Sequence, residues 1–267
     1  MKKIMAIVMS LAVGFAATAQ EEREGGFSAG LEFGIEDVGS DERLPYLMPA
    51  LAYEQSFFDG ALDVYAELNY TFGLAGDFPQ SMYVNFALGY NLELGSASTL
   101  SFIAEKEFDE ILISPRYEDG NNITGIFTPA IQFSQALDFG NIFARVGAPI
   151  IYIQYDRAAG TEVGLDFTIG WESNFGLELE AKFLNLIVPG EAAGFLGFEA
   201  FVGYGVGPAG IGVEVIVPRE ARAEGVIVTP ELAYAFGRWI FYANTEFAGL
   251  GTGAVSVSPA LGFRFRF

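Results

Sequence analysis

Apolar and polar residues alternate along most of the chain from Phe27 onward. The segment 62–72 shows the pattern without a break, because every second residue is apolar and the residues between them are polar. The segments 82–93, 162–172 and 175–183 repeat it. A period of two residues is typical of β-strands whose faces meet different surroundings, whereas an amphipathic helix repeats about every 3.6 residues. The pattern therefore predicts a protein built from strands.

The segmentation predicts about 14 strands, and the connections between them alternate in length. Long polar stretches at 36–45, 73–80 and 109–122 follow the first, third and fifth strands, while tight turns follow the second, fourth and sixth. An even strand number with alternating long loops and short turns is typical of transmembrane antiparallel β-barrels. The predicted strands are 27–35, 46–57, 61–72, 81–94, 99–108, 123–136, 141–154, 161–172, 175–187, 194–206, 210–217, 226–236, 239–248 and 253–267.

Five prolines count against this assignment, since they fall inside predicted strands. They are Pro49, Pro129, Pro149, Pro230 and Pro259. A proline inside a sheet removes one hydrogen bond from the strand ladder. Bulges near these sites would accommodate the prolines. If one predicted hairpin is not formed, the barrel has 12 strands, which is the alternative.

The two strand faces differ in a way that favours a membrane barrel over a soluble β-sandwich. A sandwich packs its apolar faces into a shared core and carries many charges outside. Here one face is almost uncharged, and the other combines glycine, alanine and tyrosine with single acids, as a crowded lumen would. The predicted fold class is all-β, a transmembrane antiparallel up-and-down β-barrel. Outward aromatic residues near the short-turn end predict an interfacial girdle of Tyr53, Tyr90, Trp171, Phe175, Tyr234, Phe236, Trp239 and Phe241.

The first 20 residues have the three-part layout of a secretory signal peptide. Two lysines precede an apolar run at 4–16, and the small residues Ala17 and Ala19 stand just before Gln20. The apolar run is about 13 residues long, which is too short for a membrane-spanning helix of about 20 residues. We expect cleavage after Ala19, so that 1–19 is the signal peptide and 20–267 the barrel domain.

The composition excludes several classes of function. The 267 residues contain no cysteine and no histidine, so a disulfide framework, a thiol nucleophile, a Cys-ligated zinc site and a Ser-His-Asp triad are ruled out. A formal net charge of −20 disfavours a nucleic-acid partner, which requires clustered lysine and arginine. We predict that the protein is not an enzyme and uses no cofactor and no metal.

The last strand resembles the closing strand of bacterial outer-membrane β-barrel proteins. It alternates outward apolar residues and ends on an aromatic one, through Phe263, Phe265 and Phe267. In that family this strand is the signal recognised by the barrel-assembly machinery, so the resemblance implies that partner and the outer membrane of a diderm bacterium, where outer-membrane lipid surrounds the barrel. Among barrels of this size the resemblance is closest to small monomeric porins, by analogy of strand count.

The polar face, taken as the lumen wall, carries many carboxylates and few cations. A confined field of carboxylates raises the local concentration of cations and repels anions. We therefore predict a cation-preferring diffusion channel for small cationic or neutral solutes. The carboxylates predicted at mid-height, and hence for selectivity, are Glu67, Asp166, Glu180, Glu199, Glu214 and Glu231. The predicted lumen cations are Arg145, Lys182, Arg264 and Arg266.

Two further interpretations stay open at this point. Any water-filled lumen has charged walls, and ion pairs to Arg145 or Lys182 would cancel part of the field. A closed barrel could instead serve as a structural or adhesin-like surface protein that acts through the loops 36–45, 109–122 and 218–225. The acidic lumen speaks against a transporter of hydrophobic substrates, which would need an apolar cavity.

Overall fold

The computed structural model describes residues 25–37, 43–75, 81–112, 123–155, 158–187, 194–218 and 225–267. The predicted signal peptide, with Ala17 and Ala19, lies outside them. Within these ranges no helix is long and apolar enough to cross a membrane. The strands are β1 (Gly26–Asp37), β2 (Arg43–Phe57), β3 (Leu62–Gly73), β4 (Ser81–Glu93), β5 (Ser98–Leu112), β6 (Ile123–Leu137), β7 (Gly140–Gly147), β8 (Ile150–Tyr155), β9 (Ala158–Ser173), β10 (Leu177–Ile187), β11 (Gly194–Val206), β12 (Ala209–Pro218), β13 (Val226–Phe236), β14 (Trp239–Leu250) and β15 (Ser256–Arg266).

The strands form one closed antiparallel β-barrel. Each strand pairs with its neighbours in the chain, and β1 pairs with β15, from Ser28 opposite Arg266 to Gly34 opposite Ala260. Segments β7 and β8 both pair with β6 and β9, so they are two halves of one barrel strand, interrupted at Ala148 and Pro149. The barrel thus has 14 strands, which confirms the predicted fold class and rejects the alternative of 12.

The two ends of the barrel differ, as the sequence predicts. Short turns at 58–61, 94–97, 138–139, 174–176, 207–208 and 237–238 lie at one end, which we call the turn end, together with Gly25 and Phe267. At the opposite end, the loop end, six strands lead into segments that are partly or wholly outside the described residues: β1, β3, β5, β8, β10 and β12. Phe58 and Asp59 adopt positive φ angles of 56° and 55° in the first turn, before Gly60.

Four of the five prolines lie within strands and direct their side chains away from the lumen. Pro129, Pro230 and Pro259 are exposed and Pro49 is half-buried. Pro149 stands in the break between β7 and β8 instead. A register shift lies between Val226 and Val228, close to Pro230, so part of the expected bulging is present. The strand pairs at Pro259 and between β5 and β6 at Pro129 continue in register, while on its other side Pro129 lies opposite the break between β7 and β8.

An apolar belt surrounds the barrel. Each of the 14 barrel strands directs at least one large apolar side chain outward with 40% or more of its surface exposed. In a soluble protein a continuous apolar surface of this extent would drive aggregation, whereas lipid tails solvate it. The belt therefore faces the hydrocarbon core of a membrane. One such residue from each strand is Phe33, Leu51, Leu68, Phe86, Phe102, Ile131, Val146, Phe167, Phe183, Val202, Val213, Leu232, Phe241 and Leu261.

Aromatic residues cluster outside the barrel near the turn end. Trp239 contacts Phe263 and Phe265, with ring centroids 5.6 and 4.8 Å apart, and Trp171 contacts Phe175 at 6.1 Å. Tyr90, Phe175, Tyr234, Phe236, Trp239 and Phe241 are all exposed. The structure thus places the girdle where the sequence predicts it.

The barrel lumen as candidate functional site

The lumen face carries polar side chains, and many of them are buried. These residues are removed from solvent because other lumen side chains cover them, so the interior is packed along parts of its wall. Buried polar groups need hydrogen-bond partners or opposite charges, and this requirement determines how the lumen is arranged. The buried polar residues are Glu32, Glu67, Asn69, Thr71, Ser81, Asn85, Ser101, Thr128, Thr168, Glu199, Glu214, Thr229 and Arg264.

A buried ion pair crosses the closing seam of the barrel. The Arg264 guanidinium on β15 donates a hydrogen bond of 2.5 Å from Nη2 to Oε1 of Glu67 on β3. The exposed fraction is 9% for the Arg264 side chain and zero for that of Glu67. The two intervening strands carry small lumen residues at this height, Gly30 on β1 and Ala52 on β2, so the arginine can extend along the wall.

Tyrosine hydroxyls complete this cluster, which we call the seam cluster: Glu32, Tyr46, Tyr65, Glu67, Tyr242 and Arg264. Tyr65 donates a hydrogen bond to Oε2 of Glu67 at 2.6 Å, and Tyr46 donates one to Oε1 of Glu32 at 2.8 Å. The Tyr242 hydroxyl lies beside the same Glu32 carboxylate. Two carboxylates, one guanidinium and three phenols therefore interact in a region almost closed to water, although Oε2 of Glu32 has no hydrogen-bond partner among the described residues.

Glycines on neighbouring strands make room for the lumen aromatic rings. Gly34 pairs directly with Tyr46, and a Cβ atom on this glycine would lie 2.6 Å from Cε1 of the tyrosine and closer still to Cζ. Gly262 has the same relation to Tyr242, and Gly170 to Phe143. A ring can lie flat against the wall only where its neighbour has no side chain. The lumen-facing glycines thus have a steric role in placing the cluster.

The opposite side of the lumen, on β5 and β7 to β13, carries the remaining predicted charges. Arg145 forms a bidentate ion pair with Glu105, through Nη1 to Oε1 at 2.9 Å and through Nη2 to Oε2. Lys182 lies directly opposite Glu199, with Nζ 3.7 Å from Oε2. Three of the four predicted lumen cations, Arg264 included, therefore contact a carboxylate. Arg266 lies at the turn end, opposite Ser28.

The six predicted selectivity carboxylates fall into two groups. Glu67, Glu199 and Glu214 are buried, and the first two belong to ion pairs. Asp166, Glu180 and Glu231 are half-buried and keep part of their surface on the lumen. The structure thus places all six on the lumen wall but does not bring them together as one ring. A passing ion can therefore reach Asp166, Glu180 and Glu231.

Several lumen residues lie outside the prediction. Tyr46, Met48, Phe201, Ile216, Ile227 and Ile240 are buried lumen side chains that sequence reasoning did not assign to the interior. On β2 the lumen residues Tyr46, Met48, Ala50 and Ala52 are as apolar as the outward ones, so the alternation of polarity gives no signal there. The strict alternation of β3 identifies its lumen face, and the pairing of β2 with β3 could then have assigned the lumen residues of β2.

Known proteins resemble this chain in fold only. No protein-family model matches the chain, and no curated protein matches it. The solved structure of the Pseudomonas putida toluene transporter TodX is 10% identical and has a TM-score of 0.52, over 95% of this chain and 92% of that chain. The NanC porin is 11% identical, with a TM-score of 0.44 over 90% of this chain and 100% of that chain. Outer membrane phospholipase A from Escherichia coli is 12% identical, with a TM-score of 0.47 over 70% and 81%.

Of these three structures, TodX has a TM-score above one half, and the comparison of folds rests on it. At an identity of 10% such a likeness shows the shared architecture and leaves activity undetermined. Function has to be argued from the chemistry of this lumen.

Proposed function

We propose that this chain, which has the fold of bacterial outer-membrane β-barrel proteins, is an outer-membrane channel for the passive diffusion of small solutes and prefers cations. The fold confirms the resemblance drawn from the final strand and supports an outer-membrane location. The turn end is then periplasmic and the loop end extracellular, as in other barrels of this kind.

The charge balance of the lumen carries the proposal. Asp166, Glu180 and Glu231 are half-buried lumen carboxylates on β9, β10 and β13. The lumen cations Arg145, Lys182 and Arg264 contact other carboxylates, namely Glu105, Glu199 and Glu67. These partners largely neutralise the positive charges of the lumen. The half-buried carboxylates Asp166, Glu180 and Glu231 therefore give the accessible wall a net negative potential. Such a wall attracts cations and repels anions.

Single-channel recording tests the proposal. The refolded protein in a planar bilayer under a salt gradient is expected to show current steps with a cation-selective reversal potential. Asp166→Asn/Glu180→Gln/Glu231→Gln removes three negative charges from the accessible wall. We expect the cation-to-anion permeability ratio to fall by about threefold or more in this variant, because the local field weakens.

Asp59→Asn is the matched control, since it removes one carboxylate from a turn outside the lumen and asparagine tolerates the positive φ of that site. It should leave the permeability ratio unchanged. An anion-selective wild type, or a triple variant with wild-type selectivity, would contradict the assignment of these carboxylates.

The packed seam cluster favours a second candidate function, a closed structural or adhesin-like barrel. Glu32, Glu67 and Arg264 fill one side of the lumen and leave less room for a pore. Such a protein would act through its extracellular loops, most of whose residues lie outside the described ranges. A folded barrel that passes no current in the same recording would favour this function.

We propose no enzymatic activity for the chain. One structural neighbour, the phospholipase, is an enzyme. This sequence has no histidine and no cysteine, so its carboxylates and hydroxyls lack the bases and nucleophiles that hydrolases most often use.

The last strand is proposed to be the contact for the barrel-assembly machinery. Phe263 and Phe265 face outward beside Trp239, and Phe267 is 69% exposed. Phe267→Ala should therefore reduce the amount of folded protein in the outer membrane of cells, measured by fractionation, without a change in the stability of the refolded barrel. Equal membrane levels of variant and wild type would argue against this contact.

A further inference from the structure

Glu199 on β11 and Glu214 on β12 are diagonal neighbours on the lumen wall, because Glu199 lies opposite Ile216 and Glu214 lies opposite Phe201. Their carboxyl groups lie within hydrogen-bond range of each other, although an ionised carboxylate has no proton to donate. Both carboxylate oxygens of Glu214 are buried and have no hydrogen-bond partner among the described residues. Two buried like charges in contact repel each other strongly. Their contact therefore requires a positive charge or a shared proton between them.

A third buried oxygen lies on the next strand, beside Glu214. Thr229 on β13 is directly opposite Glu214, is 2% exposed, and its Oγ1 has no hydrogen-bond partner in the described part of the chain. Thr229 lies on the lumen side of its strand, as Glu214 does. A buried hydroxyl without a partner is unfavourable, so a cation that binds all these oxygens would stabilise each of them.

Lys182 does not supply the missing charge by itself. Its Nζ lies 3.7 Å from Oε2 of Glu199, and its charge also acts on Asp166, Glu180 and Glu214. The negative charge of Glu231 also acts on Glu214, and that of Glu199 acts on Glu180. Lys182, together with Arg145, which is itself paired with Glu105, therefore faces four glutamate carboxylates on this part of the wall: Glu180, Glu199, Glu214 and Glu231.

Apolar side chains lie next to these oxygens on the same three strands. Phe201, Ile216 and Ile227 are buried lumen residues: Phe201 is opposite Glu214, and Ile216 lies between Glu199 and Ile227. A setting with little water strengthens the attraction between a cation and carboxylates.

We propose that Glu199, Glu214 and Thr229 bind a hard divalent cation, with Ca²⁺ as its representative. Carboxylate and hydroxyl oxygens are the ligands that such cations prefer, and Ca²⁺ accepts irregular sets of six to eight oxygens that include water. The cation joins β11, β12 and β13 through their side chains. This site goes beyond the proposed channel function, because it holds whether or not the barrel conducts.

Calorimetric titration of the metal-free, refolded barrel in detergent with Ca²⁺ tests the site. The wild type should bind Ca²⁺ saturably, and Glu214→Gln should weaken binding by about tenfold or more, since it removes a charged ligand. Thr229→Val keeps both carboxylates and nearly the same shape, and should weaken binding several-fold. Glu93→Gln, a control in an exposed lumen carboxylate at the turn end, should bind as the wild type does.

Two results would overturn the proposal. One is a wild type without saturable Ca²⁺ binding, and the other is Glu214→Gln and Thr229→Val proteins that bind like Glu93→Gln. In either case a proton shared between the two carboxyl groups accounts for their contact. Far-UV circular dichroism of each variant establishes that it is folded, and Thr229→Val provides the test if Glu214→Gln does not fold. A barrel that binds Ca²⁺ and passes no current overturns the channel proposal alone.

Discussion

Replacement of Arg264 by methionine is expected to lower the free energy of unfolding by about 3–5 kcal/mol, the usual loss when one partner of a buried ion pair is removed. The guanidinium contacts Glu67, whose side chain is fully buried, and its charge also acts on Glu32. Without it, two carboxylates stay in a region of low polarity with only tyrosine hydroxyls for partners. Urea titration of the refolded barrel, followed by the fluorescence of Trp171 and Trp239, measures the change.

Arg266→Met is the matched control for this prediction. It removes the same charge from the same strand, two residues away, at the turn end of the lumen. We expect it to change the unfolding free energy by at most about 1 kcal/mol, the usual range for a partly exposed charge. The double variant Arg264→Met/Glu67→Gln should recover part of the loss, because no ionised Glu67 remains to be buried. Equal effects of Arg264→Met and Arg266→Met would show that the seam ion pair contributes little.

Gly34→Ala is expected to destabilise the barrel by about 3 kcal/mol, which combines overpacking with a weakened buried hydrogen bond. The new methyl group would occupy the space of the Tyr46 ring. The ring would have to leave the wall, and its hydroxyl would then lose the contact of 2.8 Å with Glu32. The same urea titration measures this loss.

Gly89→Ala is the comparison for that substitution. Gly89 also lies on the lumen side within a strand, but a Cβ atom there would only reach ordinary contact with Asp63, at 3.7 Å. Since alanine limits the unfolded chain more than glycine, this variant should be neutral or slightly more stable. If Gly34→Ala and Gly89→Ala behave alike, the Tyr46 ring does not depend on the missing side chain of Gly34.

The sequence alone predicted most of the strands, because the alternation of polarity is a local property. In β3, the residues Asp63, Glu67 and Thr71 face the lumen, while Leu68 and Phe72 face lipid, as the period of two predicts. The strand bounds are also close to those predicted, and β11 and β13 agree at both ends. The seventh predicted strand is interrupted at Pro149, where a ladder hydrogen bond is missing.

The sequence alone did not predict which residues pair with the lumen charges. Arg264 and Glu67 are 197 residues apart in the chain. Their contact depends on the closure of β1 against β15 and on the stagger of each strand pair between them. The pairing of Lys182 with Glu199 likewise follows from the register of β10 against β11. No local sequence pattern determines that register. The six carboxylates that the sequence placed together at mid-height are therefore divided in the structure: some form two ion pairs and a buried carboxyl contact, and three remain accessible.

By itself the sequence determined the all-β barrel, a strand count of about 14 with 12 as the alternative, its acidic lumen face and its aromatic girdle. These features follow from the composition and spacing of neighbouring residues, which act over a few ångströms along one strand. The tertiary structure alone decided which lumen carboxylates are buried, which are paired and which keep part of their surface on the lumen. The reason is physical: these properties depend on side chains that meet across the closed barrel, and their positions are set by the register of all its strands together.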